Sequence, residues 1–241
     1  MRKVETSEAI LSDLKIDESK IIRIQKWFRG CIVRMKLLPL IMYKIQDHLR
    51  SQIFQFSKQN EDGRINSSID EDNVIRSLIE KFGSRIKTPK IRMWYDILAF
   101  DYTYGWIPIN IKTTTTLTKD NTGNLAMCVY AYTNEDLDLH RNKTYCNGEM
   151  SAVLFNRLLT KNYNTNLKKD YYFIVLNKQD HQDVIINSIK GLTVLTPNIN
   201  NLPFQICWNK NRKFEYSHIN ATINKFINCI QKPNPSWKEK F

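Results

Sequence analysis

The residues whose types and spacing could do chemistry together are an acid at Asp96, an amide at Asn110 and a lysine at Lys112. They lie in the stretch from Trp94 to Thr116, WYDILAFDYTYGWIPINIKTTTT. Aromatic and β-branched residues crowd it, so it reads as two short apolar strands, Met93–Phe100 and Trp106–Ile111, joined by a turn containing Asp101, Thr103 and Gly105. Side chains alternate faces along a strand, so Asn110 and Lys112 share one face and Ile111 points into the opposite layer. A hairpin brings Asp96 to the Asn110 face. An acid, a metal-capable amide and a lysine then converge at one end of a sheet.

A further acid must come from a different element. Ser67 or Ser68 is expected to cap a helix whose first turn carries Asp70, Glu71 and Asp72. Ile75, Leu78, Ile79 and Phe82 give that helix a buried face. Glu71 lies four residues before Ile75 and so falls on that face, whereas Glu80 falls off it. A carboxylate on the apolar side of a helix is costly unless it finds a partner or a metal. The plainer reading is the ordinary preference for acids at a helix start, with Asp70 and Asp72 as alternatives to Glu71.

The pattern resembles the PD-(D/E)xK nuclease superfamily and, within it, the type II restriction endonucleases. Asp96, Asn110 and Lys112 match the acid and the acid-x-lysine of that motif, and Pro108-Ile-Asn-Ile-Lys-Thr-Thr looks like its second half. The chain departs in having Tyr95 where the motif has proline and Asn110 in place of the second acid. The fold implied is α/β, a restriction-endonuclease-like mixed central sheet flanked by helices. The activity implied is Mg²⁺-dependent hydrolysis of DNA phosphodiester bonds, sequence-specific in the manner of that family, with Mn²⁺ able to substitute. Asp96, Glu71, the Asn110 side-chain oxygen or the Ile111 backbone oxygen would hold the ion, and Lys112 would orient or activate the attacking water. With Asn110 in the acid's place, one ion rather than two is expected. Cutting a palindrome would require a homodimer.

Small hydroxyl and amide donors follow Lys112: Thr113, Thr114 and Thr115, then Lys119, Asn121 and Asn124. They suit contacts to phosphates and base edges, and equally a turn-rich loop. The basic loop Lys81–Lys90, with Arg85 and Lys87, leads into the motif strands and is expected to sit near whatever occupies the site.

The N-terminal segment carries a second resemblance. Ile24-Gln-Lys-Trp-Phe-Arg29-Gly30-Cys-Ile-Val-Arg34 fits the IQ motif, IQxxxRGxxxR, at every defined position. That resemblance implies a calmodulin-like partner bound through Ile24–Arg34. The plainer reading is an amphipathic helix that packs its Ile/Phe stripe on the domain and offers arginines to DNA phosphates. A eukaryotic setting, such as a large DNA virus, would suit the first reading.

The 241 residues are enough for one sizeable α/β domain, and a 42% hydrophobic content can bury a core. A net charge of +12 favours a polyanionic partner, nucleic acid before membrane, although a bias to Lys, Asn and Ile inflates lysine by itself. Five scattered cysteines show no zinc spacing, and the first twenty residues contain no apolar signal region. The expectation is an intracellular, reducing setting, cytoplasmic or nucleoid-associated, without a membrane. No Gly-rich phosphate loop, GxSxG elbow or HExxH helix points to a kinase, serine hydrolase or zinc protease.

The expected organisation is a helical extension over 1–50, with a basic helix from Lys20 to Arg50 broken or kinked near Pro39, and a nuclease-like domain over 51–241. Further expected elements are a buried helix at Asn124–Tyr132, a helix at Met150–Leu159 and strands at Tyr171–Leu176, Val184–Val194 and Phe204–Trp208. A last helix is expected at His218–Gln231, capped by Ser217. Two other readings compete with the nuclease: a DNA-binding protein of the same fold with a degraded site, and a calmodulin-binding protein in which the IQ-like helix is the functional element.

Overall fold

In the computed structural model, the residues described are 19–26, 38–56, 63–90, 93–121, 124–141, 143–166, 168–198 and 203–231. The chain falls into two units, Met1–Leu37 and Leu38–Phe241. In the first, residues 19–26 are helical and exposed. Of the IQ-like segment, 24–26 belong to this stretch, and the remainder to Arg34 lies outside the described residues, as does the tail from Lys232.

Near the start of the second unit Pro39, with a φ of −53° and a non-helical ψ of 141°, is the N-cap of helix α1, Leu40–Arg50. Ile41, Met42, Ile45 and Leu49 recur at helical spacing and are fully buried. This is why α1 belongs to the larger unit instead of to an extension ending at residue 50. Helix α2 spans Gly63–Phe82, so Ser67 and Ser68 lie inside it and do not cap it.

A mixed sheet of five strands forms the centre, in the order β1 (Ile86–Lys87), β2 (Ile97–Asp101), β3 (Gly105–Thr114), β5 (Tyr172–Asn177), β6 (Asp180–Ser188). β2 and β3 are an antiparallel hairpin, β3 and β5 run parallel, and β5 and β6 form a second antiparallel hairpin. Pro108 is tolerated inside β3. Its nitrogen faces the β5 side, and pairing to β5 starts only at Ile109↔Tyr172, so no ladder bond is lost.

Strand alternation divides the core into two layers. Ile107, Ile109, Ile111, Tyr172, Ile174 and Leu176 pack with α1 and α2. Tyr171, Phe173 and Val175 pack on the other side with helices α3 (Leu125–Tyr132), α4 (Asn147–Leu159) and α5 (Ile219–Gln231). Every residue of α3 is buried, and its N-cap is Asn124, whose Oδ1 accepts the Met127 N–H at 2.7 Å. A small second sheet, β4 (Lys119–Asp120), β8 (Phe204–Cys207) and β7 (Thr196–Pro197), lies beyond the end of β3. Cys128, Cys146 and Cys207 are free thiols. Among the described residues no helix is long and apolar enough to cross a membrane.

Candidate active site

β3 outlasts its partner β2, and the site is built on that overhang. The hairpin register runs from Asp101↔Gly105 to Ile97↔Ile109, and the Asp96 N–H still reaches the Ile109 carbonyl at 3.0 Å. Beyond that point the backbone N–H groups of Ile111 and Thr113 face an edge where no strand among the described residues receives them. Unpaired backbone donors are costly when shielded from water, and two carboxylates take them. Asp96 Oδ2 accepts the Ile111 N–H at 2.7 Å, and Glu71, reaching from α2, accepts that of Thr113.

Side chains complete the cluster. Asn110 Nδ2 donates to the same Asp96 Oδ2 at 2.8 Å, and Lys112 Nζ pairs with Glu71 Oε1 at 3.1 Å. Burial pushes the Glu71 carboxyl above its ordinary range; Lys112 pulls it back down and the Asp96 charge raises it again. Asp96, Asn110, Lys112 and Glu71 therefore come together from a bend, a strand and a helix, at the C-terminal end of the parallel pair β3 and β5. Open α/β sheets place ligands at that end of their strands.

Two residues that the sequence reading passed over join them. Asp120 sits close enough to Lys112 for the lysine's charge to lower its pKa, although burial wins and raises it overall. Its carboxylate accepts from Trp208 Nε1 at 2.7 Å and from Thr114 Oγ1 at 3.4 Å. Lys178, in the β5–β6 turn, donates its backbone N–H to the Thr114 carbonyl at 3.0 Å and pairs through Nζ with the buried Asp70 at 2.7 Å. The position of Lys178 directly after an apolar strand parallel to β3 was the available signal. Asp120 carried none, because only the packing of β4 on β8 brings Trp208 to it.

The oxygen donors suit a hard cation in part. Asp96 and Glu71 provide carboxylates, and the Ile111 carbonyl faces the same open edge as its N–H. Asn110 is different, because its amide nitrogen, not its oxygen, faces Asp96, and its Oδ1 is buried with no hydrogen-bond partner among the described residues. Among the described residues no group of three or more His, Cys, Asp or Glu is placed to hold a metal.

The expected nucleic-acid contacts separate into three groups. Thr113 is buried, Thr114 bonds Asp120, and Thr115 is half-buried beside them. Lys119 is exposed on β4; Asn121 accepts from Asn198 and Gln205 across the small sheet, and both ends of the Asn124 amide are engaged, at Met127 and at the Trp94 carbonyl. Arg85 and Lys87 stand elsewhere. They flank Ile86, which pairs with Ala99, so they lie near the turn of the hairpin and not at the overhang. From Trp106, whose ring Lys87 Nζ covers, to Lys112 the strand covers about 20 Å at ~3.3 Å per residue. The expectation that Arg85 and Lys87 lie beside the site is thereby corrected, since Arg85 is held on the Phe100 carbonyl and over Tyr102, and Lys87 over Trp106.

No family model matches the chain, and neither a curated protein nor a solved structure matches it.

Proposed function

We propose that the chain is a Mg²⁺-dependent endodeoxyribonuclease with a restriction-endonuclease-like fold. The observation that carries this reading is the convergence of Asp96, Lys112 and Glu71 on the open edge of β3, with Lys112 held at 3.1 Å from Glu71. A divalent ion bound by Asp96, Glu71 and the Ile111 carbonyl would acidify a water and neutralise phosphate charge. Lys112 adds a fixed positive charge against the phosphate oxygens and a hydrogen-bond donor that orients the attacking water. Lys119, exposed on β4, adds a cation for the flanking backbone, while Thr114 and Lys178 hold Asp120 and Asp70.

A second reading draws on the Asn110 amide. Its N–H and that of Ile111 already satisfy Asp96 Oδ2 without any metal, as befits a DNA-binding protein of this fold whose chemistry has lapsed. One experiment separates the two. A mixed-sequence duplex is incubated with the protein in Mg²⁺, in Mn²⁺ and in EDTA, then run both native and denatured. Fragments in metal alone support the hydrolase. A native shift without fragments under every ion supports the binder, and neither shift nor fragments overturns both.

A further inference from the structure

At the turn of the β2–β3 hairpin, away from the acidic cluster, a row of aromatic rings is interleaved with cations. Tyr102, 82% exposed, meets Phe100 edge-on with ring centroids 5.5 Å apart. Phe100 tilts against Trp106 at 5.3 Å, and the exposed His140 meets the other edge of Trp106 at 6.1 Å. Arg85 lies over the Tyr102 ring at 5.1 Å, and Lys87 Nζ lies over the Trp106 ring at 4.1 Å. Arg85 also donates to the Phe100 carbonyl at 2.9 Å, which fixes its guanidinium plane on the row.

Burial accounts for Trp106, which packs partly on the core, but not for the outer end of the row. Tyr102 contributes almost nothing to the core, and Lys87 is exposed. Rings supply faces on which bases stack, a fixed guanidinium plane adds another, and the two cations supply partners for the phosphates between those bases. A duplex hides its base faces, so the partner this surface fits has unpaired bases. Trp106 shares the sheet face of Asn110 and Lys112, because even spacing along a strand keeps side chains on one side.

We infer that the row Tyr102–Phe100–Trp106, with Arg85 and Lys87, is a binding surface for an unpaired stretch of a DNA strand, distinct from the cluster at Lys112. The inference rests on the nucleic-acid reading above but not on hydrolysis.

The test is fluorescence anisotropy of a labelled oligo(dT) of about twelve nucleotides, a length within the range of known single-strand sites, using the full chain in EDTA. Tyr102→Ala is expected to weaken binding about tenfold. Arg85→Gln and Lys87→Gln are expected to weaken it and to lower the salt slope by about 0.7 each, the single-strand value per phosphate contact. Lys44→Gln, an exposed lysine on α1, supplies the control for net charge and should leave binding within about twofold of wild type. Tyr102 is so exposed that its loss leaves the fold intact. A wild-type chain that does not hold the oligonucleotide overturns the inference. So does a Tyr102→Ala variant that binds it normally, an equal loss on a duplex of the same length, a Lys44→Gln loss matching that of Lys87→Gln, or tighter binding of oligo(U). A chain that holds oligo(dT) through Tyr102 but cuts no DNA keeps this surface and removes only the hydrolase.

Discussion

Asn110 Nδ2 and the Ile111 backbone N–H converge on one oxygen of Asp96, at 2.8 and 2.7 Å. A carboxylate at position 110 would set two negative charges at this spacing, which water-poor surroundings tolerate only with a cation between them. The amide instead donates, so position 110 adds no second charge beside Asp96.

Asn110→Asp should therefore make the site depend on metal. In EDTA the variant loses a hydrogen bond and gains a like-charge contact, lowering stability by about 2–4 kcal/mol. Adding Mg²⁺ should recover most of that loss and tighten Mg²⁺ binding by about tenfold or more over wild type. Thermal denaturation with and without Mg²⁺ measures both. A variant as stable as wild type in EDTA would contradict the placement of the two side chains.

Lys112→Ala strands Glu71, whose side chain is 17% exposed, without its counter-ion. At neutral pH the cost should be about 1–3 kcal/mol. Glu71 already has a folded-state pKa above its ordinary value, and removing Lys112 raises it further. A carboxyl raised on folding is a penalty carried in full above its folded pKa and relieved as pH falls through it toward the unfolded value. The gap between wild type and variant should thus narrow on acidification, as urea midpoints at about pH 7 and about pH 5 would show.

Asp101 holds the far end of the hairpin. Its Oδ1 accepts the Thr103 and Tyr104 N–H groups at 2.8 and 3.2 Å, and its Oδ2 accepts the Ile41 N–H at the start of α1 at 3.0 Å. Asp101→Ala should cost about 2–4 kcal/mol, since it removes a turn cap and a helix N-terminal acceptor together. Below the melting transition, whatever the Lys112 cluster does should be unchanged, because the two ends of β3 are structurally independent.

Asp170 and Lys190 form a buried polar centre behind β5. Burial pushes Asp170 up to about 6 and Lys190 down to about 8. Lys190 Nζ donates to the Asn166 and Lys169 carbonyls at 3.3 and 2.8 Å. For Asp170 the folded value lies above the ordinary 3.8, so its penalty is carried above about pH 6 and lifted as pH falls from there toward 3.8. Relative to Asp170→Asn, wild type should gain roughly 2–3 kcal/mol between about pH 7 and about pH 4, read from paired urea titrations. Parallel pH profiles would place Asp170 at an ordinary value.

The hairpin and its alternation were readable because Ile107, Ile109 and Ile111 carry the buried face while Asn110 and Lys112 interrupt the other, a local pattern that pairing only completes. Helix α3 was equally plain, since a run with no polar residue has nowhere to go but inside. Elements made by pairing alone were not readable. β1, β4 and β7 are two residues each and exist because Ile86 finds Ala99, Lys119 finds Cys207 and Thr196 finds Gln205. The first half of β6, Asp180–Asp183, is polar and lengthens that strand only through the turn from β5. At the site, spacing from Ile75 drew attention to Glu71, but the buried row of α2 is Asp70, Val74 and Leu78, and Ile79 is exposed. Asp120 and Lys178 reach Lys112 and Asp70 through tertiary contacts that no spacing encodes, and the distance of Arg85 and Lys87 from the cluster follows from their contacts with Tyr102 and Trp106.

The most direct measurement is the cutting of a mixed-sequence supercoiled plasmid by wild type and by Lys112→Ala, each checked for folding by circular dichroism, in Mg²⁺ and in EDTA. The account predicts discrete fragments from wild type in Mg²⁺, none in EDTA, and a rate reduced at least about a hundredfold in Lys112→Ala, the scale of losing one transition-state charge contact. Fragments produced equally by folded Lys112→Ala, or no cutting by wild type in any divalent ion, would contradict it.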